Sequence, residues 1–312
     1  MKKAPVTILL ACISVLLCSC YKTDIGPITD DMRHTGPFQV VKICDDIDVR
    51  LLHCDASHPA GTIVLRTGAN LIDGITTETE EYTVVTENDT MKFNRLVITN
   101  DNAYNNFRPH NHAPEMTVYY DSLYKLEFYS NAHDISTDTL HGYNFPTHFA
   151  QDTIGWDSLA PNLLIEVLGG SGNFNVLANC YKLTTKCIHG TSNITVKGKA
   201  TLASTYADYD SHGVILSDEL DSHIHYINTY GTNVIKARSY HMLDIRNGNI
   251  GSVHYKKYYS TKETYEWNDS LHQLDTVLKR ILCPEVVRYN GEYINIWTYN
   301  NEDGYPGLVL DP

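Results

Sequence analysis

Gly170-Ser171-Gly172-Asn173-Phe174, followed at one interval by Gly190-Thr191-Ser192-Asn193-Ile194, decides how this chain is read. The closing pair, Asn or Gly and then an apolar residue, returns at Gly213-Val214 and Asn233-Val234. Each stands 20 residues after the last, and Asn249-Ile250 follows after 16. A period in this range marks stacked units, each too small to bury a hydrophobic face alone. Seven residues ahead of the recurring apolar position stand Val167, Cys187, Ala207, Ile227 and Leu243. Two residues behind it stand Val176, Val196, Leu216, Lys236 and Ser252. Most are small or aliphatic, as a column of inward-facing positions requires. The Gly or Asn ahead of the apolar residue fits a corner that needs a left-handed backbone. Helical periodicity is absent from the unit. Each unit, within Leu163 to Lys257, is therefore expected to form one turn of a parallel β-coil, with neighbouring turns ~4.8 Å apart. A two-sheet sandwich could hold strands at this spacing, but its hairpins would not demand equal units.

Upstream, apolar residues alternate through Phe38, Val40, Ile47, Val49 and Leu51, and again within 62–66, 96–99, 116–120 and 123–129. This period of two predicts short strands. Residues 141–162 interrupt them with Gly142, Pro146, Gly155 and Pro161, a long insertion of the kind that often carries function. Downstream, Leu271, Leu274, Leu278 and Ile281 follow Asn268-Asp269-Ser270 at helical spacing. They predict one amphipathic helix covering the open end of the stack. Residues 286–289 and 293–297 flank Asn290-Gly291 and predict a hairpin with a tight turn.

The chain starts with Lys2 and Lys3 and an apolar run from Val6 to Leu17, shorter than the about 20 residues a bilayer span needs. Leu17-Cys18-Ser19-Cys20 resembles a bacterial lipobox, with Cys20 the lipidated residue. Each buried CH₂ of an acyl chain contributes about 0.8 kcal/mol, so several chains anchor a protein stably. The expected layout is a signal peptide over 1–19 and a lipidated tether over 20–36. A repeat domain over 37–258 follows, and then an extension with helix and hairpin over 259–312. The formal net charge is −13 and no basic cluster offsets it, which argues against a nucleic-acid partner. Cys44, Cys54, Cys180, Cys187 and Cys283 have irregular spacing without a Cys-x-x-Cys pair. They read as small buried residues, with Cys44 and Cys54 the nearest candidates for one bridge.

Three residue sets have site character. His223 and His225 are expected on one face of a strand, with His225 stacked over His241, a candidate transition-metal set. Asp208, Asp210, Asp218, Glu219 and Asp221 lie close in sequence, as glycan cleavage would need, but they do not align from turn to turn and read as a solvated face. Tyr143, Phe145, Phe149 and Trp156 in the insertion, with Tyr293, Trp297 and Tyr299 near the end, are candidates for contacts to a glycan or a surface protein. Six Asp-Ser/Thr-apolar triplets, among them Asp121-Ser122-Leu123 and Asp275-Thr276-Val277, look like an O-glycosylation signal of some Gram-negative envelopes.

The Gly-Ser-Gly-Asn-apolar unit is similar to that of the head GIN domain of auto-transporter adhesins. Gly170 to Phe174 matches it in full, and Gly190 to Ile194, Gly231-Thr232-Asn233-Val234 and Asn247-Gly248-Asn249-Ile250 match in degenerate form. The opening strand pair from Gly36 to Val49 and the closing Val253-His254-Tyr255 also look similar. The resemblance implies a right-handed parallel β-helix or solenoid, all-β, in an envelope protein without catalytic residues. Together these readings lead to an outer-membrane lipoprotein of a Gram-negative bacterium, held by the lipid on Cys20, with a binding or structural role and no cofactor. A polysaccharide lyase or hydrolase on a β-helix is the alternative.

Overall fold

The computed structural model describes residues 25–85, 90–102, 113–132, 134–143, 162–268, 273–302 and 304–312. Its opening strands follow the alternation of the sequence. They are β1 (Ile28–His34), β2 (Val40–Cys44), β3 (Asp48–His53) and β4 (Thr62–Gly68), then the long β5 (Ile75–Val85) and β6 (Thr90–Asn100). β7 (Glu115–Tyr120), β8 (Lys125–Tyr129) and β9 (Ile135–Leu140) complete this part. The stretch expected as a tether contains β1, which pairs antiparallel with β4, Met32 opposite Val64. No buried position marks β1, because backbone pairing along a sheet edge holds it rather than apolar burial.

The repeat supplies β10 (Asn162–Gly169), β11 (Asn173–Gly190), β12 (Asn193–Ser211), β13 (Val214–Ser217), β14 (Leu220–Thr229), β15 (Val234–Ala237), β16 (Met242–Asn247) and β17 (Ser252–Lys256). β11 and β12 pair in parallel from Asn173↔Asn193 to Cys180↔Ala200, a step of 20 residues. Each unit has two arms. In β11 the buried side chains are Phe174, Val176, Ala178 and Cys180, then Leu183, Thr185 and Cys187. The alternation slips by one residue at Tyr181-Lys182, where the strand turns a corner with both side chains outside. The same slip falls at Thr201-Leu202 in β12 and at His223-Ile224 in β14.

The inward column at the start of each unit is Phe174, Ile194, Ile215, Ile235 and Val253, all buried. The sequence period places Val214, Val234 and Ile250 there instead, and Ile250 is 83% exposed. A register shift between Cys187 and His189 sets His189 opposite Asp210, so one unit is longer, and the last one is shorter. Leu216, Lys236 and Ser252 consequently sit beside the inward column and are half-buried.

The Gly-x-x-Asn corners stack directly. Thr191 N–H donates to the Gly170 carbonyl at 2.9 Å, and His212 N–H to the Gly190 carbonyl at 2.8 Å. Asn193 Nδ2 donates to Asn173 Oδ1 at 2.9 Å, continuing the ladder through side chains. Gly190 has φ 95°, and a Cβ there would lie 2.3 Å from the Gly170 carbonyl oxygen. Glycine at that corner is a steric requirement. Inside, the rings of Phe128 and Phe174 stack with centroids 4.4 Å apart, and burying each side chain stabilises the fold by about 1.5–3 kcal/mol.

Beyond the repeat, β18 (Tyr258–Asn268) and β19 (Gln273–Cys283) form an antiparallel hairpin in a sheet of their own. This replaces the expected helix. Tyr and Thr recur along β18, and Thr276, Val277 and Ile281 are β-branched in β19, residues that suit a pleated surface better than a helix. Leu278, assigned by its spacing to the apolar face of the helix, is 65% exposed. β20 (Val286–Tyr289) and β21 (Glu292–Ile294) are the expected hairpin, and Asn290 (φ 49°) and Gly291 (φ 91°) supply its two positive-φ turn positions. β20 stacks on β16, and β22 (Leu308–Asp311) on β17, so strands rather than a helix continue the stack.

The fold class is all-β. One sheet of 20 strands takes in everything except the β18–β19 hairpin, and it is mixed rather than purely parallel. Pairing is antiparallel at β1–β4, β4–β7, β5–β6 and β20–β21. Cys44 and Cys54 are free, as are Cys180, Cys187 and Cys283, so the candidate bridge is not formed. Burial pushes the Cys180 and Cys187 thiols up to about 12 and about 11, which leaves them inert. Among the described residues no helix is long and apolar enough to cross a membrane.

Candidate functional site: a groove across the repeat

Because the second arm alternates, its outer side chains form columns that run along the stack. One column is Thr184, Ser204, Tyr226, Asp244 and Arg288, and beside it run Lys186, Tyr206, Asn228 and Arg246. Near the start of the stack the same face carries Lys125, Glu127 and Glu166. There it is covered by β5 and β6: Phe93 stacks on Tyr124 at 5.2 Å, and Lys125 Nζ bonds to Tyr82 Oη at 3.1 Å. Lys125 also reaches Glu127 at 2.7 Å and Glu166 at 2.6 Å, and these bonds hold its pKa above the ordinary value against the opposing effect of burial.

Farther along, the face is open and forms a groove of about 720 Å³. Its floor and walls come from five neighbouring strands, β11, β12, β14, β16 and β20. At ~4.8 Å per strand it spans roughly 19 Å. Tyr181 and Tyr226 supply aromatic faces, Asn228 an amide, and Lys182, Arg246 and Arg288 positive charge. Asp244 is the single carboxylate among the described lining residues, and it is paired with Arg288, whose Nε donates to Oδ1 at 3.0 Å. Lys182 and Arg246 have no acidic partner among the described residues. Burial holds the Lys182 pKa below its ordinary value. The groove is thus cationic in a chain of net charge −13. A smaller hollow of about 350 Å³, lined by Asn179, Lys199, Asp221 and Tyr240, adjoins it across Thr201 and His223.

The histidines divide between inside and outside. His223 and His225 do not share a face, because the corner slip falls between them. His223 lines the groove, whereas His225 is fully buried with Nε2 2.9 Å from the Thr205 hydroxyl. His241 stacks on His223, not on His225, with centroids 5.1 Å apart and planes at 13°. Burial and the neighbouring His241 lower the His223 pKa, and His241 Nδ1 lies 3.4 Å from Glu285. The three histidines are therefore not one ligand set.

Among the aromatic candidates, Phe145, Phe149 and Trp156 lie outside the described residues. Tyr143 packs edge-on against Phe93 at 5.2 Å, and Tyr299 is buried against Tyr255 and Tyr305. Trp297 (70%) and Tyr293 (71%) are exposed, and Tyr293 pairs with Arg288 at the end of the groove. Of the clustered acids, Asp210 lies 3.6 Å from His189, Glu219 2.8 Å from Lys197 and Asp221 3.4 Å from Arg238. Apart from His223, the groove residues escaped the sequence reading. Their signal was the outward phase of the repeat, which units of unequal length blurred.

Residues 37–258 match the family model described as "putative auto-transporter adhesin, head GIN domain". Similar solved structures include a putative adhesin from Bacteroides fragilis, 15% identical with a TM-score of 0.55, over 74% of this chain and 88% of that one. A putative lipid binding protein from Parabacteroides distasonis is 16% identical with a TM-score of 0.49, over 74% and 90%. A putative adhesin from Parabacteroides merdae is 15% identical with a TM-score of 0.43, over 75% and 90%. At 15% identity the likeness to the Bacteroides fragilis structure concerns the fold alone. No curated protein matches the chain.

Proposed function

The chain belongs to the family of the putative auto-transporter adhesin head GIN domain, and on that premise we propose that it is a lipid-anchored envelope protein that binds an acidic glycan in the groove. The carrying observation is the groove itself, an elongated cationic trough with tyrosines and, among its described lining residues, no carboxylate pair. Tyrosine offers an apolar face with a polar tip, which suits a sugar ring. Lys182 and Arg246 provide unopposed positive charge for carboxylate or sulfate groups. The in-register parallel stack supports reading the repeat as a right-handed solenoid whose outer face is the binding surface. Lipidation at Cys20, outside the described residues, would hold the protein at the outer membrane. A glycan-cleaving role draws no support from the groove, where the one carboxylate among the described lining residues, Asp244, is bound to Arg288.

A glycan array with neutral, carboxylated and sulfated members tests the binding. The purified protein should favour the charged members, and Arg246→Ala or Tyr226→Ala should weaken binding about 10-fold, the loss of ~1.4 kcal/mol, without changing Tm. Equal retention of neutral glycans, or variants that bind as before, would refute it. For the anchor, Cys20→Ala should release the protein from membranes, and protease added to intact cells should cut the wild type if it faces outward.

A further inference from the structure

Away from the groove, one cluster of donor side chains has no part in the binding proposed above. His53 ends β3, Cys54 follows it, and Asp121 follows β7 directly. β3 and β7 pair in parallel with His53 opposite Tyr120, and the Cys54 N–H donates to the Tyr120 carbonyl at 2.7 Å. The two strands therefore release their next residues side by side. Neighbours on a regular strand point to opposite faces; His53 is the last residue of β3, and as the chain leaves the strand Cys54 comes to the same side. The outcome is that one donor atom each from His53, Cys54 and Asp121 lies within 4.8 Å of the others. Among the described residues no other three such donors come together in this way.

The surroundings fix the cluster. His53 Nδ1 lies 3.0 Å from the Cys54 carbonyl, and the ring stands edge-on to Tyr120 at 5.6 Å and 81°. With a proton on Nδ1 donated to that carbonyl, the lone pair is on Nε2, the usual way a backbone carbonyl sets the tautomer of a ligating histidine. Asp138 accepts the His53 backbone N–H at 2.6 Å and the Tyr120 hydroxyl at 2.5 Å, which ties the strand ends together from behind. Cys54 is free and half-buried, while His53 and Asp121 are exposed.

We propose that His53, Cys54 and Asp121 bind a zinc-class divalent transition metal, with the fourth position open to solvent. One imidazole, one thiolate and one carboxylate suit zinc, whereas calcium and magnesium take oxygen ligands. Bonds of about 2.0–2.3 Å in a tetrahedron put ligand atoms roughly 3.3–3.8 Å apart. Donors already within 4.8 Å need to close by about 1.5 Å at most, a rotamer adjustment for side chains at the surface. On binding, the Cys54 thiol gives its proton to solvent and the sulfur takes up the metal, so affinity rises with pH.

The test uses the purified full chain, stripped with a chelator. Zinc should bind at one ion per chain with Kd at or below roughly 10 μM, read by competition with a chromophoric chelator. Cobalt should give a thiolate-to-metal charge-transfer band in the wild type. Cys54→Ser should remove the band, and Cys54→Ser and Asp121→Asn should each weaken zinc binding about 10-fold or more, while His189→Ala binds as the wild type does. Circular dichroism checks that the variants fold. If Cys54→Ser does not, the cobalt band of the wild-type protein decides. No zinc binding at that concentration, no thiolate band, or binding unchanged in both ligand variants would overturn the site.

Discussion

His225 makes the stability of the stack depend on pH. It occupies the inward column Leu183, Ala203, His225, Leu243 and Val287, where a histidine is held among aliphatic neighbours. Burial pushes its pKa down to about 4 from an ordinary 6.5. Above pH 6.5 the ring is neutral in the folded and unfolded chain, and the residue adds no pH dependence. Between 6.5 and 4 the unfolded chain takes up a proton that the folded chain refuses, so stability falls as pH falls. From pH 7 to pH 5 this difference is about 2 kcal/mol, and below pH 4 it levels off at about 3 kcal/mol. Urea unfolding at the two pH values, on the wild type and on His225→Leu, isolates it. Leucine leaves the Thr205 hydroxyl without its partner and lowers stability at pH 7, but it cannot titrate. The variant should lose about 2 kcal/mol less than the wild type between pH 7 and 5. Equal losses in the two proteins would refute the reasoning, since the carboxylates titrate alike in both.

Lys125→Met should cost about 3–5 kcal/mol in urea unfolding, because Glu127 would keep its charge in a buried place without its nearest partner. A loss below about 1 kcal/mol would mean that Arg95, 3.0 Å from Glu127, suffices. Gly190→Ala should lower stability by about 1–3 kcal/mol, since the new methyl meets the Gly170 carbonyl and the backbone is left-handed; an unchanged thermal midpoint would contradict that geometry. Leu278→Ala should change stability by less than about 0.5 kcal/mol if the residue lies on an exposed hairpin, and by 2 kcal/mol or more if it caps a core.

The repeat was legible because its corners are chemically demanding. Gly170, Gly190, Asn173 and Asn193 sit where backbone meets backbone between neighbouring units, and few residues fit there. Its inner column was legible only in part. The extra residue near Asp210 is accommodated at an exposed corner, where no packing constraint writes it into the sequence, so Val214 passed for Ile215. The turn at Asn290-Gly291 was legible for the same reason as the corners, whereas the spacing of Leu274, Leu278 and Ile281 matches a helix and not a period of two, so the strand was not legible in it. The groove was hardly legible at all. Tyr226, Asn228, Arg246 and Arg288 become neighbours only through a register of 18 to 44 residues, and each alone reads as an ordinary surface side chain.

The step of 20 residues that holds along most of the β11–β12 pairing also bears on how such a chain can change length. From Asn162↔Lys182 to Cys180↔Ala200, every partner stands 20 residues away. Excising or duplicating one whole unit in this span would return each inward residue to an inward seat, whereas losing half a unit would turn arm into corner. Length here is quantised, and variation by copying of gene segments has a natural quantum to work with. Each added rung would lengthen the trough by one strand spacing, so reach along a polymer could be adjusted without redesigning a single contact.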